Sequence, residues 1–147
     1  MILCFKVVPV FLDTHEQKMS HLVGLLDASK NTRQVVLCSD ESAARSIEDR
    51  LNSEFPSSQV FVLCESREGS VKESSEKVRV WEKTVRKGRK AFFVLSDLYF
   101  LETSLQLTAD DLCIHFDLPK GSLSKFKTRQ DKTNNLLQAH RYEKCFD

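Results

Sequence analysis

Ala91-Phe-Phe-Val-Leu-Ser-Asp97 and Asp111-Leu-Cys-Ile-His-Phe-Asp-Leu-Pro119 decide how this chain folds. Ala91 to Leu95 is an apolar run without polar alternation, the pattern of a strand buried on both faces of a parallel sheet. Ser96-Asp97 comes next at its carboxyl end, where open α/β sheets collect their ligands. Asp111 to Phe116 reads as a second strand, closed by Pro119, because proline does not continue a central strand. Asp97 and Asp117 then end two strands at the same edge, either as part of a site or as caps of the next segments.

Outward from these strands the order repeats. Ile2 to Phe11 reads as a strand whose end Pro9 assigns to an edge or bulge. Thr14-His-Glu-Gln17 has capping-box spacing, and Met19, Leu22, Val23 and Leu26 continue one helical face to about Ser29. Gln34 to Cys38 is a short buried strand, with Ser39-Asp40 as the cap of a helix burying Ala43, Ile47, Leu51 and Phe55. Gln59 to Cys64 is a third strand, succeeded by a polar loop from Glu65 to Gly69. Ser70-Val-Lys-Glu73 opens a helix with Val71, Val78, Trp81 and Val85 on one face. Strands alternating with helices imply right-handed crossovers and a three-layer α/β sandwich.

At 147 residues the chain is expected to be a single domain over 1–147, able to bury about two-thirds of its unfolded surface. Its abrupt start and close suggest excision from a longer protein. The formal net charge of +1 gives no global attraction to nucleic acid or membrane, so such functions need local patches. No apolar run approaches the roughly 20 residues of a membrane span, and no signal peptide is evident. Cys4, Cys38, Cys64, Cys113 and Cys145 include no Cys-x-x-Cys pair, so reduced thiols in a cytosolic setting are expected and a zinc site is not.

Two basic clusters stand out. Lys83, Arg86, Lys87, Arg89 and Lys90 surround Gly88 before the Ala91 strand, and a solvated helix end is the preferred reading over a nucleic-acid patch. Lys120, Lys125, Lys127, Arg129 and Lys132, with Phe126 among them, come after the Asp117 turn on the candidate edge. Basic residues with an interleaved aromatic can clamp phosphates and stack a base. Asn134 to Phe146 reads as a terminal helix.

Taken in order from Gln34 to Thr133, these motifs resemble the C-terminal RecA-like domain of DEAD-box RNA helicases. Val35-Val-Leu-Cys-Ser-Asp-Glu41 is similar to the family's motif IV strand, and Val94-Leu-Ser-Asp97 occupies the place where motif V opens. His115-Phe-Asp-Leu-Pro119 is nearly the family's His-Tyr-Asp-Leu-Pro. Phe126-Lys-Thr-Arg129 falls in step with the start of motif VI. The resemblance implies an α/β fold: a RecA-like parallel sheet with helices on both faces.

The departures bear on activity. Leu98-Tyr-Phe-Leu-Glu102 replaces the family's Val-Ala-Ala-Arg-Gly. In motif VI only Arg129 and Thr133 survive, while Lys132 and Asn135 stand in place of the later arginines, and Asp131 and Asn134 in place of glycines. An arginine finger contributes about 10³ to 10⁵ in rate, and neither lysine nor asparagine reproduces its planar fork. No Walker A loop occurs. This manner of degeneration resembles the helicase-like regions of tudor-domain-containing proteins of the germline piRNA pathway, of the Yb and tudor domain-containing protein 12 kind.

The resemblance implies a non-catalytic module that binds RNA or scaffolds ribonucleoprotein assembly in small-RNA biogenesis and transposon silencing. Ser39, Ser96, Lys125, Lys127 and Arg129 are the candidate RNA contacts, and Asp97, Arg129 and Lys132 the remnant of a nucleotide site. No catalytic or metal-binding residue is assigned, and ATP is expected only if an intact first RecA-like domain is paired with this one. The partners implied are single-stranded RNA, held weakly, and proteins of cytoplasmic or perinuclear granules, with no membrane. One alternative is half of an active ATP-dependent helicase. The other is a small α/β enzyme using Asp97, Asp111 and His115, with Cys113 nearby.

Overall fold

The structure, a computed structural model, describes residues 12–30, 32–64, 71–102, 105, 107, 111–117 and 128. Among the described residues, four helices and four strands run in the order α1 (His15–Ala28), β1 (Arg33–Cys38), α2 (Glu41–Glu54), β2 (Gln59–Leu63), α3 (Val71–Arg86), β3 (Ala91–Ser96), α4 (Asp97–Glu102) and β4 (Leu112–His115). The expected strand over Ile2 to Phe11, the capping box at Ser70 and Glu73, and the terminal helix lie outside the described residues.

All strand pairs are parallel, in the order β2-β3-β1-β4. The connection from β1 to β2 runs one way along the sheet through α2, and those through α3 and α4 return along the opposite face. A single crossover hand builds a sheet covered on both sides in this way. The α/β parallel sheet with helices on both faces is therefore observed, as a RecA-like domain requires.

Strand alternation divides the core in two. Val36, Cys38, Val62, Phe92 and Val94 face α1 and α2, which bury Met19, Leu22, Leu26, Ala44, Ile47 and Leu51. Val35, Leu37, Leu63, Phe93 and Leu95 face α3 and α4, which bury Val78, Trp81, Val85 and Phe100. Within α2 the fully buried alanine is Ala44, with Ala43 and Phe55 only partly covered. The helix is therefore turned slightly from the expected face. Trp81 is a core residue: its indole N–H donates to the Ala91 carbonyl at 3.2 Å, and its ring meets Phe93 edge-on.

The helix ends show how local and distant residues share the work. Thr14 Oγ1 accepts from Gln17 N at 3.1 Å, while Gln17 Oε1 accepts from Thr14 N at 3.3 Å, completing the capping box. At the other end of α1, Lys90 Nζ donates to the carbonyls of Leu26 and Ser29, and Gln34 Nε2 also donates to Leu26. These orphan carbonyls find partners from β1 and the start of β3, which ties α1 to the sheet.

Candidate nucleic-acid interface

Register brings the carboxyl ends of three strands into line. Cys38 pairs with Ser96, and Leu37 pairs with both Leu95 and His115. The Phe116 N–H continues the ladder to the Leu37 carbonyl at 2.8 Å. Chain direction changes between β1 and β3: the former leaves toward α2 on one face, the latter toward α4 on the other. Their adjacent carboxyl ends form the topological switch point, where a parallel sheet opens a crevice. Ser39-Asp40 and Ser96-Asp97 flank that crevice.

Each of these residues has a distinct position. Ser39 Oγ donates to Asp117 Oδ2 at 2.8 Å, so the ends of β1 and β4 are joined by a charge-assisted hydrogen bond. Asp40 caps α2, accepting from Ala43 N at 2.9 Å. The Cys38 thiol donates to the Leu95 carbonyl at 3.4 Å and belongs to the core. Ser96 is fully buried as the last residue of β3, whereas Asp97 is half-buried and opens α4. Of the serines singled out from the sequence, Ser39 therefore reaches the surface of this edge and Ser96 does not.

The residues after Ser96-Asp97 have a structural use. Leu98-Tyr-Phe-Leu-Glu102 falls within α4, and Phe100 is fully buried against the α3 side of the sheet with Leu95, Leu105 and Leu107.

Asp97, Asp111 and His115 are not brought together. Asp111 precedes β4 at the amino edge, where its fully buried carboxylate holds Arg33 Nε at 2.7 Å. His115 lies at the carboxyl end of β4, with β1 between it and β3, a separation of two strand spacings or about 9.6 Å. Asp111 thus neutralises Arg33, whose guanidinium also stacks over the Trp81 ring at 4.7 Å. The strand read over Asp111 to Phe116 is observed as Leu112–His115, with Asp111 just before it in an ion pair at the amino edge.

A further cation reaches the carboxyl edge that sequence reasoning did not supply. Lys18 Nζ lies 4.4 Å from the centroid of the Phe116 ring, and the His15 ring meets the same ring edge-on at 6.2 Å. Nothing in the sequence links α1 to Phe116; only the antiparallel run of α1 across the sheet does. Lys125, Lys127, Arg129 and Lys132 lie outside the described residues. Among the described residues no helix is long and apolar enough to cross a membrane. No protein-family model matches the chain, and no curated protein matches it.

Proposed function

We propose that this domain is a non-catalytic helicase-like module that holds single-stranded RNA weakly along the carboxyl edge of its sheet. The observation that carries this reading is the Ser39–Asp117 hydrogen bond at the switch point. It joins the end of the motif IV-like strand β1 to Asp117, just past the end of β4. Lys18 on Phe116 adds a positive charge to this edge, and Lys125, Lys127 and Arg129 follow the Asp117 turn in the sequence. Ser39 and Asp97 shape the crevice, with Asp97 orienting neighbouring groups rather than meeting phosphate, because like charges repel.

The loss of catalysis is supported by the sequence at motifs V and VI. Lys132 and Asn135 cannot clamp a transferring phosphoryl group as a pair of arginines would. The domain alone holds no cofactor in this reading, and ATP enters only with an intact first RecA-like domain. Its cellular role is assembly of ribonucleoprotein in germline small-RNA biogenesis and transposon silencing. Its partners are RNA and proteins of cytoplasmic, including perinuclear, granules.

Fluorescence anisotropy with labelled single-stranded RNA at several salt concentrations tests the RNA reading. About three phosphates neutralised at this edge contribute about −2 to the log–log salt slope, from roughly −0.7 per contact. Lys125→Glu, Lys127→Glu and Arg129→Glu together should weaken binding and remove that share of the slope. Unchanged binding by that variant would remove the carboxyl edge as the RNA surface. RNA-stimulated ATP turnover by the whole protein would overturn the non-catalytic reading.

A further inference from the structure

The opposite edge of the sheet carries a second concentration of positive charge. Helix α3 closes with Lys83 and Arg86 in its last turn, and the chain returns to β3 through Lys87, Gly88, Arg89 and Lys90. Lys87 N donates to the Thr84 carbonyl at 3.2 Å and Gly88 N to the Val85 carbonyl at 3.0 Å. Gly88 adopts φ 78°, the left-handed conformation with which glycine ends a helix. Lys90 then turns inward onto the carbonyls of Leu26 and Ser29. Lys83, Arg86, Lys87 and Arg89 remain exposed.

These four differ from the described arginines that are paired with acids. Arg33, Arg45, Arg50 and Arg79 each hold a carboxylate. Among the described residues, no carboxylate holds the side chain of Lys83, Arg86, Lys87 or Arg89. The connection from α1 to β1 lies against the same turn through Lys90 Nζ to Ser29 O at 3.1 Å and Ala91 N to Thr32 O at 3.2 Å, and it presents exposed Lys30 there. Asp27 and Glu82 are the acids on the adjoining helical turns, so the edge keeps a positive excess. A helix C-terminus offers only about half a negative charge. That accounts for one cation at this end and leaves the others without local compensation.

We propose that this amino edge is a sequence-independent contact surface for the phosphate backbone of a nucleic acid, separate from the carboxyl edge. Closely set cations within a Debye length of about 10 Å repel one another, and a polyanion relieves that repulsion while releasing its own counterions. No exposed aromatic accompanies them in the described residues, since Trp81 is fully buried. The surface therefore reads phosphate and not base. An acidic protein segment would want an apolar anchor beside the charges. Val80 on α3 and Leu25 on α1 are the exposed large apolar residues among those described, and scattered single apolar side chains are ordinary surface.

The test uses the whole chain with three probes: labelled single-stranded RNA, labelled duplex RNA and a poly-glutamate competitor, over a range of salt. The variant replaces Lys83, Arg86, Lys87 and Arg89 by alanine and leaves Lys90, Gly88 and Trp81 in place, so the fold keeps its internal contacts. Both nucleic acids should lose affinity by tenfold or more at low salt, with the single-strand slope shallower by about 2.8. Poly-glutamate should compete poorly. A Lys90→Met chain should lower the melting temperature while leaving the slope unchanged. Unaltered affinity and slope in the four-alanine variant would overturn the proposal. So would competition by poly-glutamate equal to that of RNA at matched charge, which would assign the edge to an acidic protein segment. Reversing Lys125, Lys127 and Arg129 leaves the amino-edge contribution intact, so the two edges succeed or fail separately.

Discussion

Ser39 and Asp117 stand 78 positions apart in the chain, and the serine hydroxyl donates to the aspartate at 2.8 Å. The contact exists because β1 and β4 are parallel neighbours whose register brings Leu37 against His115. It fixes the spacing of the two strand ends at the candidate edge.

Ser39→Ala removes the donor and leaves a part-buried carboxylate with one hydrogen bond fewer. Stability should fall by about 1–2 kcal/mol, the range for a bond to a charged group at a partly buried site. Urea unfolding reads this as a lower midpoint with an unchanged slope. A midpoint equal to that of the parent would mean that the bond adds nothing to the edge.

Arg33 and Asp111 make the corresponding link at the amino edge, with the aspartate side chain fully buried. Arg33→Met strands a buried carboxylate and should cost about 3 kcal/mol, near the lower end for breaking a buried pair. Pairing Arg33→Met with Asp111→Leu should recover most of that loss, because both charges then leave together. A double-mutant cycle measures the coupling. Trp81 fluorescence tracks the same variants, since the guanidinium leaves its ring.

Lys90 and its neighbours should separate sharply. Lys90→Met removes its bonds to the Leu26 and Ser29 carbonyls, the former keeping Gln34, and should cost about 1–3 kcal/mol, with faster amide exchange in the last turn of that helix. Alanine at Lys83, Arg86, Lys87 or Arg89 should change stability by less than about 0.5 kcal/mol each. Equal losses at all five positions would mean that the exposed four carry structural contacts.

Glu16 gives a pH test. The Arg50 guanidinium hydrogen-bonds its carboxylate at 3.0 Å and holds its pKa below the usual carboxylate value. A depressed folded pKa contributes stability that is full above the unfolded value and is lost as pH falls through the folded one. Arg50→Met should move the Glu16 titration, monitored by carboxyl NMR, back up toward the ordinary range. High salt should shrink the difference, because the pair is exposed. An unmoved titration would assign the depression to another group.

Much of the framework was legible because its signals are local. The capping box at Thr14 and Gln17 and the cap at Asp40 are three-residue geometries, and the structure repeats them. Ala91 to Leu95 announced a strand buried on both faces, and β3 extends it only by Ser96. The candidate site was less legible. Ser96 and Asp97 are adjacent in sequence, yet the sheet buries one and leaves the other half-covered. Asp111 and Asp117 bracket one strand, and six residues of extended chain carry them to opposite edges.

By itself the sequence determined α1, α2, α3 and the four strands, because caps, apolar runs and helical spacing act within a few residues, while α4 was not read from it. It also determined that the strands are parallel, since helices separate them. The tertiary structure alone decided the order β2-β3-β1-β4, the pairing of Arg33 with Asp111, the seating of Lys18 on Phe116 and the inward turn of Lys90. Each of these three contacts joins residues more than sixty positions apart. No local propensity encodes such a meeting; it comes from which faces must be buried together and from the register that closes the sheet.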